Sequence, residues 1–529
     1  MSDRSSWNIY DVDLPWWGDR PSLYQHVRAH IRPGETSLAE DGETLPDEER
    51  VRGESRIGWA PGAMDGVFGP AENAERVVDE IVRALRGLTE QATTERAARL
   101  YALLAEHKTL DYIDPLLKIV GSDDMDPDRL RAVARWLATE APDREPVKAG
   151  IALLGVFHGS EDREILLTLG RHEEFTLYAA AALLNTEDDP EHQLYELARH
   201  VTGWGRIKTV ERLAGTQDEE IKAWMLREGY QNSIMYEYTA YTCATTGDLL
   251  GALSSPDPDE ALLKGAADIL SALIDGRGGP AEGIGEYEDG AEATELFLAH
   301  LRDRRVDFKQ LVAVDVIKRF LEEQVGEARD PDLGWLQRRA VLLEHIDAIL
   351  SRPGWERQVR RGLASSDQRE FHYTTQAARV IGVDTWDAYF ERLERGEGDY
   401  WYFVMQTDDP ERIDRVVALA EKRLPLEQIA TGPADEIGLG PEFEHHSALD
   451  FVLQDLGRFP GKGWPLVRAG LQSPVVRNRN MAVRALAAWG REAWPEEAET
   501  LLQDALENEP REDTGDYMRK ALAGEPLDS

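Results

Sequence analysis

The chain of 529 residues carries a formal net charge of −40, with 42% hydrophobic residues, 30% charged residues and a single cysteine, Cys243. That much negative charge repels phosphate backbones and anionic lipid at long range, so nucleic acid and membrane surfaces are disfavoured partners. One cysteine excludes disulfides within the chain and multi-cysteine zinc or iron–sulfur centres, which suits a reducing cytoplasm, and the length predicts several domains or an elongated repeat array.

In chain order, the N-terminus shows no basic region followed by an apolar run, so no secretory signal is expected. Residues 7–19, WNIYDVDLPWWGD, gather large apolar side chains in an extended stretch and are expected to cap the first helix pair. His26 and His30 stand four apart on one helix face, a workable metal spacing that lacks a third ligand. Residues 32–55 are polar and acidic and read as a mobile loop. The glycines of 57–70 precede a helix, but without a Lys, and with Asp65, Glu72 and Glu75 nearby, they read as a packed loop rather than an anion cradle.

From Ala71 to Gly524 nearly every segment alternates a helical pattern with a short break, and no period-2 strand series appears. Asp, Pro or Ser opens typical units such as DPDRLRAVARWLATEA and PDEALLKGAADILSALID. The longest apolar runs, 149–157 and 177–184, are about half a membrane span. Cys243 sits among tyrosines with no basic residue between Arg227 and Lys264, and reads as inert packing. Residues 276–290 and 431–444 are Gly-rich acidic insertions, and insertions into repeat arrays gather on the binding face. The aromatic run at 399–410 reads as a core helix. Within EFEHHSALD, one helix presents Glu442, His445, His446 and Asp450, a metal-capable set that resembles half of a carboxylate-bridged di-iron site. No second Glu-x-x-His is found to complete it, so a solvated helix start with a hydrogen-bonded His is the stronger reading. Nucleotide-binding loops, the Gly-x-Ser-x-Gly elbow and His-Glu-x-x-His are absent, and no cofactor is expected.

Leu130, Phe175, Ile221 and Leu262 begin similar helical units, 45, 46 and 41 residues apart. Leu130-Arg131 and Ile221-Lys222 match an aliphatic-basic opening. Phe175, Ala179, Ala182 and Leu183 match the pattern that follows it, with Thr176 at the basic position. WPLVRAGLQ, SPVV and RNRNMAVRALAAWG read as helix, turn and helix, with Arg479 at the basic position, Ala485 and Leu486 as the Ala-Leu pair, and Asn478 replacing the usual aliphatic residue. On these residues the chain resembles the HEAT repeat family over roughly 111–524. The resemblance implies an all-α, right-handed α-solenoid of stacked antiparallel helix pairs and, more loosely, a role in binding.

Residues 457–491 hold seven basic residues and no acid, whereas 492–509 hold seven acids and no base. At about 100° per residue, Arg477, Arg484 and Arg491 would form one stripe, with Ala482, Val483, Leu486 and Trp489 facing the core. The stripe is expected to be neutralised by the acidic helix that follows; the competing reading is an anion or acidic-partner site. A second basic window, 297–365, supplies Arg338, Arg339, Arg357, Arg360 and Arg361 to that competing reading.

The expected organisation is an aromatic cap and acidic loop (1–70), helical repeats (71–275), the first insertion (276–290), further repeats (291–430), the second insertion (431–444) and C-terminal HEAT-like repeats (445–529). The expected function is that of a cytoplasmic, non-enzymatic protein-binding scaffold or adaptor whose partner is a protein, for which the net charge of −40 suggests a basic one. The alternatives are an enzyme on a HEAT-like scaffold, lyase-like toward tetrapyrroles or repair-like toward bases, and an acidic immunity or inhibitor protein covering a basic partner.

Overall fold

The computed structural model describes residues 7–13, 17–52, 61–63, 75–186, 189–279, 281–323 and 334–527. The chain is all-α, 69% helical, and its described residues contain no strand, only an isolated bridge between Glu436 and Val475. The helices start where side chains satisfy their first free N–H groups. Asp126 accepts from the N–H groups of Asp128 and Arg129 ahead of Pro127–Glu140, and Asp259 accepts from Leu262 N–H ahead of Glu260–Asp275. No helix of the described residues is long and apolar enough to cross a membrane.

The chain forms two compact units, Met1–Arg352 and Pro353–Ser529. In the first, a row of helices contacts neighbour after neighbour: Glu75–Glu90, Thr109–Val120, Arg144–Leu154, Glu173–Thr186, Trp204–Arg212, Glu237–Thr246, Glu260–Asp275 and Phe308–Glu323. Thr94–Glu106, Pro127–Glu140, Arg163–Gly170 and Pro190–Ala198 pack against members of the row from outside it. In the second unit Glu444–Leu456, Val476–Trp489 and Glu512–Ala523 form a similar row, flanked by Trp464–Leu471 and Ala498–Glu507. The spacing from Leu130 to Phe175 therefore joins a flanking helix to a row helix. Small residues make that ambiguity possible, because Ala-rich faces occur in both positions.

Two of the three basic residues near the starts of similar helical units reach a carboxylate beyond their own helix, whereas Lys222 bonds Glu219 on its own helix. Arg131 Nε donates to Asp162 at 2.7 Å, 31 residues on, and Arg479 Nε donates to Glu509 at 2.7 Å, 30 residues on. In both cases a cation beginning one helix is answered by a carboxylate in a following segment.

The N-terminal segment is seated on the first unit. Ile9 is buried, Trp17 stacks on Trp136 at 5.3 Å, and Trp7 Nε1 donates to Leu88 O at 3.0 Å. Residues 32–52, expected as a mobile loop, instead pack: Leu38, Leu45 and Asp47 are buried and Glu48–Arg52 is helical. Alternating small apolar anchors with charged residues hides such a segment from a periodicity test. Of the glycine-rich stretch 57–70, only 61–63 lie among the described residues.

One helix joint is unusually close. Glu219–Trp224 runs into a π turn at Met225–Gly229, in which Tyr230 N donates to Met225 O at 3.3 Å. A Cβ at Gly265 would stand 1.8 Å from Leu226 O, so only glycine fits there.

Candidate functional site

The second insertion becomes a pinned loop on the Pro353–Ser529 unit. Gly432 N donates to Gln472 O at 2.8 Å, Glu436 N donates to Pro474 O at 3.3 Å, and Val476 N donates back to Glu436 O at 3.1 Å. Asp435 accepts from Arg511 at 3.2 Å. Gly438 has φ 80°, and a Cβ there would meet Val475 Cγ1 at 2.7 Å, so the chain can pass only as glycine. This anchoring presents Ile437 and Leu439 to solvent, 74% and 66% exposed. Two exposed aliphatics this close together make a small local apolar patch, and contiguous apolar patches are what mark interaction surfaces. At the loop's start, Thr431 and Gly432 with Leu471, Leu501, Asp504 and Asn508 line a cavity of about 310 Å³.

Beneath the loop lies a hydrogen-bonded cluster. Asn478 Nδ2 donates to Asp450 Oδ1 at 2.8 Å and to His446 O at 2.8 Å, while its Oδ1 lies 3.0 Å from His446 Nδ1. Arg477 Nε stands 3.0 Å from Asp450 Oδ2. Burial pushes the Asp450 carboxyl up to about 6, outweighing the Asn478 amide and the Arg477 guanidinium, which act the other way. Asn478 thus ties its helix to Glu444–Leu456.

Among the described residues no group of three or more His, Cys, Asp or Glu side chains is placed to hold a metal ion. Asp450 and His446 meet at Asn478, whereas Glu442 and His445 are exposed at the helix start. His26 and His30 rings lie 4.4 Å apart, with His30 Nδ1 at 2.8 Å from His26 O.

The basic residues are taken up by the chain's own groups or lie on open surface. Arg477 faces Asp450, Arg484 lies over the Tyr517 ring at 5.6 Å, and Arg491 reaches Glu499 at 3.2 Å and the Leu522 carbonyl. Arg491 falls outside the helix, which ends at Trp489 before Gly490, so the seven-residue stripe stops at Arg484. Ala482, Val483, Leu486 and Trp489 are buried, as the opposite-face reading requires. Arg338 binds Glu295 at 2.5 Å and Glu292 at 2.9 Å, Arg339 donates to Leu321 O at 3.3 Å, and Arg360 binds Glu356 at 2.8 Å. Arg357 and Arg361 are exposed. Arg338 and Arg339 belong to the first unit and the 357–361 arginines to the second.

Sequence reasoning missed a buried charge network in the first unit. Arg144 is paired with Asp47 at 2.9 Å and with Glu48 at 2.7 Å; Lys148 is paired with Glu174 at 2.6 Å and Glu145 at 3.1 Å. Asp143 accepts both guanidinium arms of Arg20, at 2.6 and 3.1 Å, a bond from Arg50 at 2.5 Å, and the Tyr101 hydroxyl. Burial opposes ionisation of Glu174, yet Lys148 and Arg144 hold it at about 2. Burial lowers His172 to about 4. Cys243 is buried and its thiol is pushed up by burial despite Arg206, so it is kept as an unreactive thiol.

No family profile matches this chain, and no curated protein matches it. Among solved structures, the crystal structure of an engineered protein from the Northeast Structural Genomics Consortium is 17% identical, covers 83% of this chain and 98% of its own, and has a TM-score of 0.22. At that score the likeness carries no argument about fold or role.

Proposed function

We propose that this protein is a non-enzymatic binding scaffold, a right-handed α-solenoid of antiparallel helix pairs in the HEAT manner, that works in the cytoplasm. Its partner is a basic protein engaged by the 431–444 loop. The observation that carries the reading is the pinned loop itself: Ile437 and Leu439 stand in solvent just beyond a backbone tied down at Gly432 and Glu436, with Glu442 and Glu444 further along the same segment. A fixed apolar pair with acidic surroundings suits a partner that offers an apolar pocket rimmed by Lys or Arg, because apolar anchors supply affinity while charge selects the partner and speeds encounter. The neighbouring cavity, with Asp504 in its wall, supports the same chemistry by receiving one extended basic side chain.

The test is site-specific photocrosslinking in the native host, with the reactive residue at Ile437 and a control at half-exposed Tyr402. The expected result is one basic protein joined at Ile437, not at Tyr402, with the adduct lost in Leu439→Ser and weakened at high salt while the melting temperature is unchanged. Adducts that are equal at both positions, or that join an acidic protein, would refute the reading.

A further inference from the structure

The buried charges of the first unit are answered by a segment distant in sequence. Arg144 donates its backbone N–H and its guanidinium to Asp47, 97 residues upstream, and also reaches Glu48. Asp143, the next carboxylate on the same turn, receives Arg20 and Arg50. Leu38 and Leu45 are buried alongside, and His172 Nε2 lies 3.3 Å from Glu43 O. Read along the segment, the seated pattern is Leu45, Asp47, Glu48, Arg50. Each charge meets its opposite on the start of Arg144–Leu154.

Permanent packing does not call for this chemistry. Buried ion pairs add little net stability compared with apolar side chains of the same size, and their best-attested use is to fix register and partner choice. The ion pairs to Arg144 and Asp143 tie the segment to the helix start, and it has a wet edge: the Arg50 side chain is 61% exposed. These are features of a bound peptide rather than of a core element.

We propose that the face around Asp143 and Arg144 is a recognition site for a short acidic segment, helical at its C-terminal end, with a leucine anchor, two adjacent carboxylates and a following arginine. Residues 38–52 occupy it in cis, and a partner protein bearing the same pattern takes their place in trans. This site is independent of the 431–444 loop, and either can fail without the other.

The probe is a fluorescent synthetic peptide, LAEDGETLPDEERVR, titrated by anisotropy into the full-length chain and into full-length Asp47→Ala/Arg50→Ala, whose own segment is loosened. A tethered competitor acts at an effective concentration of about a millimolar, so the variant is expected to bind the peptide at least about tenfold more tightly than the unaltered chain does. A peptide carrying Asp47→Ala and Glu48→Ala is expected to bind the variant at least about tenfold more weakly. Absence of saturable binding, or equal binding of the two peptides, overturns the proposal. Hydrogen exchange on the unaltered chain gives a second reading that does not depend on the variant folding. Amides of 38–52 should exchange well before those of Arg144–Leu154. Exchange of both together, as one cooperative unit, would make the segment part of the core and overturn the recognition site.

Discussion

Arg479 and Arg144 are both buried arginines held by carboxylates, but the carboxylates come from different places. Arg479 is answered by Glu509, 30 residues on, through two bonds of 2.7 and 2.8 Å, and it also donates to the carbonyls of Ser473 and Pro474. Arg144 is answered by Asp47 and Glu48 from the N-terminal segment. A pair closed from the loop after the next helix sets how neighbours stack. A pair closed by a distant segment sets where that segment lies. The same interaction thus ties neighbouring helices in one unit and holds a distant segment in the other.

The sharpest break of this comparison is Arg479→Met. It strands a fully buried carboxylate, and is expected to lower the stability of Pro353–Ser529 by about 3–5 kcal/mol in urea unfolding; adding Glu509→Leu should return most of the loss. An unchanged midpoint in the single variant would mean that the pair does not hold the stack.

On the other side of the comparison, His172 supplies a pH handle. Its pKa falls from 6.5 to about 4 on folding, so the unfolded chain binds the extra proton between those values. Its contribution is complete above pH 6.5 and is lost as the pH falls toward 4, up to about 3 kcal/mol. His172→Gln should flatten that part of the stability profile, and an identical slope in the variant would assign the slope elsewhere.

Asp450 has the opposite sign. Its pKa rises from 3.8 to about 6, so its contribution is present below pH 3.8 and lost as the pH rises through 6. Asp450→Asn should therefore be more stable than the parent by about 2 kcal/mol at pH 7.5, with the difference vanishing near pH 3.5. A destabilised variant at pH 7.5 would show that the contact with Arg477 outweighs burial.

The smallest effect is expected at Arg484, which lies over the Tyr517 ring. Arg484→Glu should cost about 0.5–1 kcal/mol, measured by thermal unfolding, and Tyr517→Leu should cancel most of the difference between the two Arg484 forms.

Helices and their caps were legible because they are written locally: Asp126 and Asp259 stand immediately before their helices, and the buried face of Val476–Trp489 follows from its spacing alone. The basic position at Arg479 was legible too, but its partner was not, because Glu509 is one of seven acids in its stretch and spacing does not rank them. The stripe reading carried helical geometry past Gly490, where the helix has already ended. Arg144, Lys148 and Glu174 left no signal, since a charged residue looks the same in sequence whether it is solvated or buried, and the ions that answer Arg144 lie about a hundred residues away. The exposed Ile437 and Leu439 stand in a stretch already marked as an insertion, but their exposure depends on the anchoring at Gln472, Pro474 and Val476.

The joint between the π turn at Met225–Gly229 and Gly265 has a mechanical consequence. Where side chains intervene between helices they can change rotamer, so small rotations are absorbed where they arise. At Gly265 the neighbour is the Leu226 carbonyl itself. That approach leaves no room for a side chain to yield, so Glu219–Trp224 with its π turn and Glu260–Asp275 are expected to move together.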